Sequence, residues 1–501
     1  MQIDDAIELT NFSGIASDAE SGNGSDIVVI ADCLRASEGS FIASGAFADG
    51  DAGDLTLKIA DDVILLGSGF ANGDNPSGLF TQVEEDFATG SGGQLTLTTR
   101  QLTLSAGAQI SAAARGDGAG GNATITAKNS ILLQGTAPEA TPIGGSSGIF
   151  TSAEPGSTQA GGNLVINTPE LTVEDGAKIS ADTLGAGPAG TATLNVDRLV
   201  IRDGGLVRSG SIQGEGFPLP TGSGNTLTVI AAESIEVSGT GIIGQDFPVD
   251  SEIVAAAEGT GDAGRLDLRT PLLIIRDGGN VRTNSAQTSG GQIGIQADLV
   301  QLLDDGDIIT SVDQGGGTGG NIVVAGNSVV ATGDSDILAF AREGTGGNIT
   351  LPAFFGDGLQ ANEPIADLDA LRDLDGNGRV DVNATGQLAS GEITFPDVSF
   401  IENSLTELPE APIDTETLVA SSCIAPVAQG SGRLIVTGAD SIPQQPGSAD
   451  IAAIPTGTVR TLSEDSAADE STSWEIGDPI AEPQAVYQLT DGRRVLSQQC
   501  S

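Results

Sequence analysis

The feature that most constrains this chain is a glycine mark that keeps returning. It reads Gly53-Asp54-Leu55, Gly93-Gln94-Leu95, Gly121-Asn122-Ala123, Gly162-Asn163-Leu164 and Gly190-Thr191-Ala192. It continues as Gly224-Asn225-Thr226-Leu227, Gly264-Arg265-Leu266, Gly291-Gln292-Ile293, Gly320-Asn321-Ile322 and Gly347-Asn348-Ile349, with a weaker first copy at Gly24-Ser25-Asp26-Ile27. Successive glycines lie 29, 40, 28, 41, 28, 34, 40, 27, 29 and 27 residues apart. There is thus a basic period of 27–29 and a long form near 40, which inserts roughly a dozen residues, as between Leu66 and Thr81. A fixed period of this length is the signature of a repeat architecture.

Within each period the apolar residues alternate as they do on strands. Leu95-Thr96-Leu97-Thr98 and Leu102-Thr103-Leu104-Ser105 are two such runs, and Ile110-Ser111-Ala112 follows the turn at Ala106-Gly107. The same wording returns as Leu171-Thr172-Val173-Glu174-Asp175-Gly176 with Ile179-Ser180-Ala181, and as Leu273-Ile274-Ile275-Arg276-Asp277-Gly278 with Val281-Arg282-Thr283. Three short strands cannot bury their inner faces alone, but stacked copies can. The reading is an all-β chain: a parallel β-helix of about eleven rungs, on the order of 50 Å long at the strand spacing of a sheet. A β-sandwich is the competing fold. The long periods should bulge from one corner as loops. Aromatics are 3% of residues, so aliphatic side chains must fill the interior.

The expected organisation is an N-terminal edge or truncated rung over 1–23, β-helix repeats over 24–351, an irregular C-terminal cap over 352–440, a disordered acidic linker over 441–480 and a terminal hairpin over 481–501. The cap would cover the open sheet edge. The linker is read from its Pro, Ser, Ala and acidic content, and the hairpin from Val486 to Leu496 around Asp491-Gly492.

Charge and composition exclude several functions. Lys and Arg number 20 against 68 Asp and Glu, a net −48, which argues against nucleic acid and against anionic lipid as partners. Contacts with other anionic surfaces should need bridging divalent cations. Histidine is absent, removing histidine-based catalysis and the commonest zinc ligand. No apolar run reaches 18 residues, so no membrane insertion is expected, and the first residues do not read as a signal peptide. Cys423 and Cys500 are candidates for a disulfide, with Cys33 a buried thiol; three unpaired thiols is the alternative.

One motif suggests a metal. Asp373-Leu374-Asp375-Gly376-Asn377-Gly378-Arg379-Val380-Asp381 follows the first nine positions of a calcium loop, with Asp373, Asp375, Asn377 and Asp381 as side-chain ligands and Arg379 offering a carbonyl. Position twelve is Ala384 in place of the usual Glu, so a hydrophilic turn competes with Ca2+ binding. No spacing singles out a catalytic carboxylate pair, and Trp474 and Tyr487 lie outside the repeats as platforms for sugar. The Thr-x-Thr pairs (Thr96/Thr98, Thr124/Thr126, Thr226/Thr228) read as outward polar residues.

The wording Gly161-Gly162-Asn163-Leu164, the phrase Leu171 to Ala181, and Pro396-Asp397-Val398-Ser399-Phe400-Ile401 resemble the filamentous-haemagglutinin-like exoproteins of cyanobacteria, substrates of two-partner secretion. Asn383-Ala384-Thr385-Gly386, the run Glu402 to Pro409, Ala420-Ser421-Ser422-Cys423 and Leu434-Ile435-Val436-Thr437-Gly438 extend the likeness over most of 24–445. The resemblance implies a right-handed β-helix, secreted or held at the outer cell surface. Its role would be adhesion to cells, extracellular polysaccharide or surfaces, with no enzymatic activity. It also implies the C-terminal part of a longer form that an outer-membrane transporter recognises through a segment not found here. The alternatives are a β-helical enzyme acting on extracellular polysaccharide and a fragment without a function of its own.

Overall fold

The computed structural model describes residues 1–396, apart from 4, 21, 47–48, 84–88, 115–116, 142–143, 156, 215–216, 357–359, 362–373 and 375, together with 460–461, 485–488 and 494–497. The chain forms two compact units, Met1–Val398 and Ser399–Ser501. The first is a parallel β-helix, and the described residues contain no helix. In the second, Ala485–Gln488 pairs antiparallel with Arg494–Ser497 and parallel with Arg460–Thr461. Cys423 and Cys500 fall outside the described residues, as does the linker over 441–480 except for Arg460–Thr461, which form a short strand where a disordered segment was expected.

Two sheets carry the stack. The first runs through thirteen levels, and its middle strands are long, as in Leu95–Ser105, Leu164–Glu174 and Arg265–Arg276. The two short strands expected per period are therefore one. No glycine turn separates Leu97 from Leu102, and the ladder runs through the bend, absorbing small length differences as bulges such as that between Ala127 and Ser130. The second sheet is built of short strands, as in Gln109–Ser111, Gly148–Phe150, Lys178–Ser180, Leu206–Arg208 and Glu252–Val254.

Aliphatic side chains stack in register from level to level within each sheet. Leu97, Ile125, Ile166, Leu194, Val229, Leu268, Ile295 and Val324 make one inward row. Ile110, Ile149, Ile179, Val207, Ile253, Val281, Ile308 and Ile337 face it from the second sheet. All are buried in a single continuous core. Phe354 is the one aromatic among its buried members, so aliphatic packing does fill the interior.

The third side explains the glycine mark. Here the rungs meet through single-residue bridges, Ala114 to Ala153 to Thr183 to Ser211 to Ala257, and the glycines of successive levels lie directly on one another. A Cβ on Gly162 would sit 1.8 Å from the Gly121 carbonyl oxygen, and one on Gly190 would sit 1.9 Å from that of Gly162. Where the residue after the glycine is Asp54, Asn122, Asn163, Asn321 or Asn348, its side chain locks the level above: Asn122 Oδ1 accepts the Asn163 N–H at 2.9 Å, and Asn163 Oδ1 accepts the Thr191 N–H at 3.1 Å.

The stack begins within the N-terminal segment and runs past the expected C-terminal boundary. Ala6–Leu9 and Gly14–Ala19 already pair with the next level. Beyond residue 351, Ala353–Gly356, Asp381–Asn383 and Ile393–Thr394 all add to the sheets in parallel. A further mark at Gly391-Glu392-Ile393 was hidden by a long insertion, since Asn348 Oδ1 accepts the N–H of Glu392, 44 residues on.

The long periods do insert at one corner. Periods without an insertion here mostly turn through two left-handed residues, as at Ala106-Gly107, Asp175-Gly176 and Asp277-Gly278, while the long ones leave at the single left-handed glycines Gly67, Gly135 and Gly239. The insertions are not separate loops. Thr136–Thr141 pairs with Gly144–Ser146, and Thr240–Ile243 pairs with Phe247–Asp250. The first hairpin leans back over one level, where Glu139 N–H donates to the Ala71 carbonyl at 2.8 Å. The second packs Ile243 and Val249 against Ala137 and Ala140 of the first. Together they form a rib along the corner.

Candidate functional site

The outer face of the short-strand sheet gathers charged side chains under a roof of inserted segments. The hairpin carrying Ser146 covers one part. Ile212, from the 34-residue period, packs on Leu206, Val254 and Ala256 over the middle. Leu374 packs on Leu338, Ile309 and Phe340 near the end. Lys178, Asp182, Glu252, Asp307, Asp336 and Asp381 are all buried on this face.

At its centre Asp182 is the hub. Its Oδ2 accepts from Arg208 Nε at 2.8 Å and Nη2 at 2.7 Å, and also from the Ser180 hydroxyl; its Oδ1 accepts the Gly210 N–H at 2.9 Å. Two levels above Arg208, Arg282 pairs with Glu252 at 2.9 Å. Burial pushes the Glu252 carboxyl up, with Arg282 opposing. Burial, with Arg208 adding and Asp182 opposing, pulls the Lys178 ammonium down to about 7.

Lys178 also lines a cleft of about 160 Å³ with Gln82, Gln109, Ser111, Ser152 and Glu154, walled by Phe150 and by Gly144, Gly145 and Ser146 of the rib. Sequence reasoning missed this site. Its residues are scattered over four periods, and only the recurring Gly78-Leu79-Phe80 and Gly148-Ile149-Phe150 hinted at a shared surface role.

Of the calcium-loop residues, Asp373 and Asp375 lie outside the described residues. The other three converge. Asn377 Nδ2 donates to Asp381 Oδ2, Arg379 pairs with Asp381 at 3.2 Å, and the Arg379 N–H donates to Asn377 Oδ1 at 3.0 Å. Position nine of the loop is thus engaged by its own neighbours, in a strand that joins the second sheet. Among the described residues no group of three or more Asp, Glu or Cys is set to hold a metal ion. Cys33 is a free, half-buried thiol.

Asp381 ends a buried ladder. Its N–H donates to Asp336 Oδ1 at 2.8 Å, and the Asp336 N–H donates to Asp307 Oδ1 at 2.7 Å. Asp336 Oδ2 is buried without a hydrogen-bond partner. Burial, followed by the charges of Asp307, Asp381 and Asp334, raises the Asp336 carboxyl to about 9, against the Asp381 N–H. A carboxyl raised in the folded state weighs against folding as pH climbs from its unfolded value near 4 toward 9. Asp336→Asn keeps the Oδ1 acceptor and removes the titration. Its stability advantage over the parent is expected to be absent near pH 4 and to grow by about 1.4 kcal/mol per pH unit above that, reaching several kcal/mol at pH 8. Urea unfolding across that range is the check; an unchanged difference at both ends would contradict the assigned titration.

No helix among the described residues is long and apolar enough to cross a membrane. No family model, no curated protein and no solved structure matches the chain.

Proposed function

We propose that the chain is an exported, non-enzymatic surface protein that attaches cells to extracellular polysaccharide or to neighbouring surfaces. The observation that carries this reading is the thirteen-level stack, which repeats polar rows at strand spacing along a stiff core. Many shallow contacts on such a scaffold add avidity without a strong single site. The resemblance to two-partner-secreted exoproteins supports export. Proteolysis of intact source cells should release peptides from residues 53–350; their recovery only after lysis would remove the support for an outside location. Cells displaying the chain should bind anionic surfaces in a chelator-sensitive way, because a chain of net −48 needs divalent bridges there. Adhesion indifferent to chelator and stronger at low salt would exclude bridging.

An enzyme acting on polysaccharide is the second reading, and Lys178 favours it. An amine held near 7 in a cleft with Glu154 is suited to proton transfer at neutral pH. New reducing or unsaturated ends released from polysaccharide, and lost in Lys178→Met, would select this reading over attachment alone.

A further inference from the structure

We propose that the cleft beneath Ser146 is a sugar-binding site that takes a single neutral pyranose unit. This rests on the attachment reading above and names the ligand chemistry of one place on the stack.

The floor of the cleft is an aromatic platform. The Phe150 ring lies across Gly148 of its own strand, whose Cβ, were there one, would stand 2.7 Å from Phe150 Cζ. Glycine there leaves the room that the ring takes up, and Phe150 also lines the cleft. Phe80 does the same over Gly78, with a corresponding 2.6 Å approach, so the device occurs twice, on the levels either side of Gln109. An aromatic face beside polar groups is the arrangement that receives the apolar face of a sugar ring while its hydroxyls are hydrogen-bonded.

The walls supply those hydrogen bonds. Gln82 and Gln109 each carry an amide donor and acceptor, Ser111 and Ser152 carry hydroxyls, and Glu154 and Lys178 add one acidic and one basic group. Bidentate and mixed donor–acceptor groups suit vicinal hydroxyls. Ser146 provides a separate indication. It is 2% exposed, lines the cleft from the rib, and its Oγ has no hydrogen-bond partner. A buried hydroxyl left unsatisfied costs on the order of 1–3 kcal/mol, which a ligand hydroxyl would restore.

Size and charge narrow the ligand. At about 160 Å³ the cleft is of the size of one sugar ring. With Lys178 drawn down to about 7 the cleft offers an anion little positive charge beside Glu154, and the whole chain repels anions at net −48. A neutral sugar therefore fits better than a uronate. At neutral pH Lys178 is partly uncharged, which lets it accept as well as donate.

The test titrates the full chain with methyl glucoside, methyl mannoside, methyl galactoside and methyl glucuronate by ligand-observed NMR. A parallel assay measures retention of the chain on immobilised neutral and acidic polysaccharides. At least one neutral glycoside should saturate with a Kd in the ~mM range, as expected of a small shallow site. Gln109→Leu and Ser146→Val should each weaken it at least tenfold while melting like the parent, and Lys58→Gln, on the other sheet, should bind unchanged. A parent that ignores the neutral glycosides, variants that bind as the parent does, or tighter binding of the glucuronate would overturn the proposal. If polysaccharide is retained while no glycoside binds, the cleft assignment fails and the attachment reading survives. If neither binds, both fail.

Discussion

Asp182→Ala should be among the most destabilising single changes in the chain, losing about 3–5 kcal/mol in urea unfolding. The carboxylate is 2% exposed and neutralises Arg208, whose side chain is 22% exposed, through two hydrogen bonds. It also satisfies the Gly210 N–H one level up. Removing it strands a guanidinium under the Ile212 segment, and the whole desolvation cost of that charge appears at once. Removing both partners should be milder. Asp182→Ala with Arg208→Met is expected to recover at least half of the loss, because an apolar side chain beside Leu206 and Val254 needs no counter-charge. Equal destabilisation by the single and double variants would show that the ion pair is not the source of the effect.

Gly162→Ala should cost about 3 kcal/mol or more, although it adds only one methyl group. The obstacle at 1.8 Å is the carbonyl of Gly121, and the next closest atom, at 2.6 Å, is the carbonyl carbon of the same residue. No side chain can swing aside, so relief requires the rungs to part where the Gly162 N–H donates to Thr151 at 2.6 Å and the Thr151 hydroxyl donates back at 2.8 Å. Gly316→Ala is the matched control, since a Cβ there meets nothing within 4 Å. A Gly162→Ala protein that unfolds at the parent's urea midpoint would mean that the glycine contact is not tight.

Much of the fold was legible because its cause is repeated. Each mark places a glycine where a rung lies on the one below, and each apolar alternation places a Leu or Ile in an inward row. The ends were harder to read. Asp381–Asn383 and Ile393–Thr394 complete further levels, but the 44 residues between Asn348 and Glu392 mask their period. The merging of two strands into one was also hidden, because a bend with polar residues such as Thr99-Arg100-Gln101 reads like a turn. The cleft was illegible for a different reason. Gln109, Ser152, Glu154 and Lys178 are ordinary polar residues of three different periods, and only the register, together with a hairpin leaning from the corner, brings them together. The calcium motif shows the reverse. Its spacing was conspicuous, yet Asn377 and Arg379 turn inward on Asp381.

The rib changes how such a stack should come apart. In a simple solenoid each level is coupled only to its neighbours, so opening proceeds from the ends, one level at a time. Here the segment after Gly67 touches the hairpin after Gly135, which touches the hairpin after Gly239, spanning intervening levels that carry no insertion at this corner. Levels from Leu55 to Glu252 are thereby strapped from outside as well as hydrogen-bonded within. Amide exchange across that block should follow one shared opening free energy, while levels beyond it, such as Ile322–Thr332, exchange through smaller, local openings.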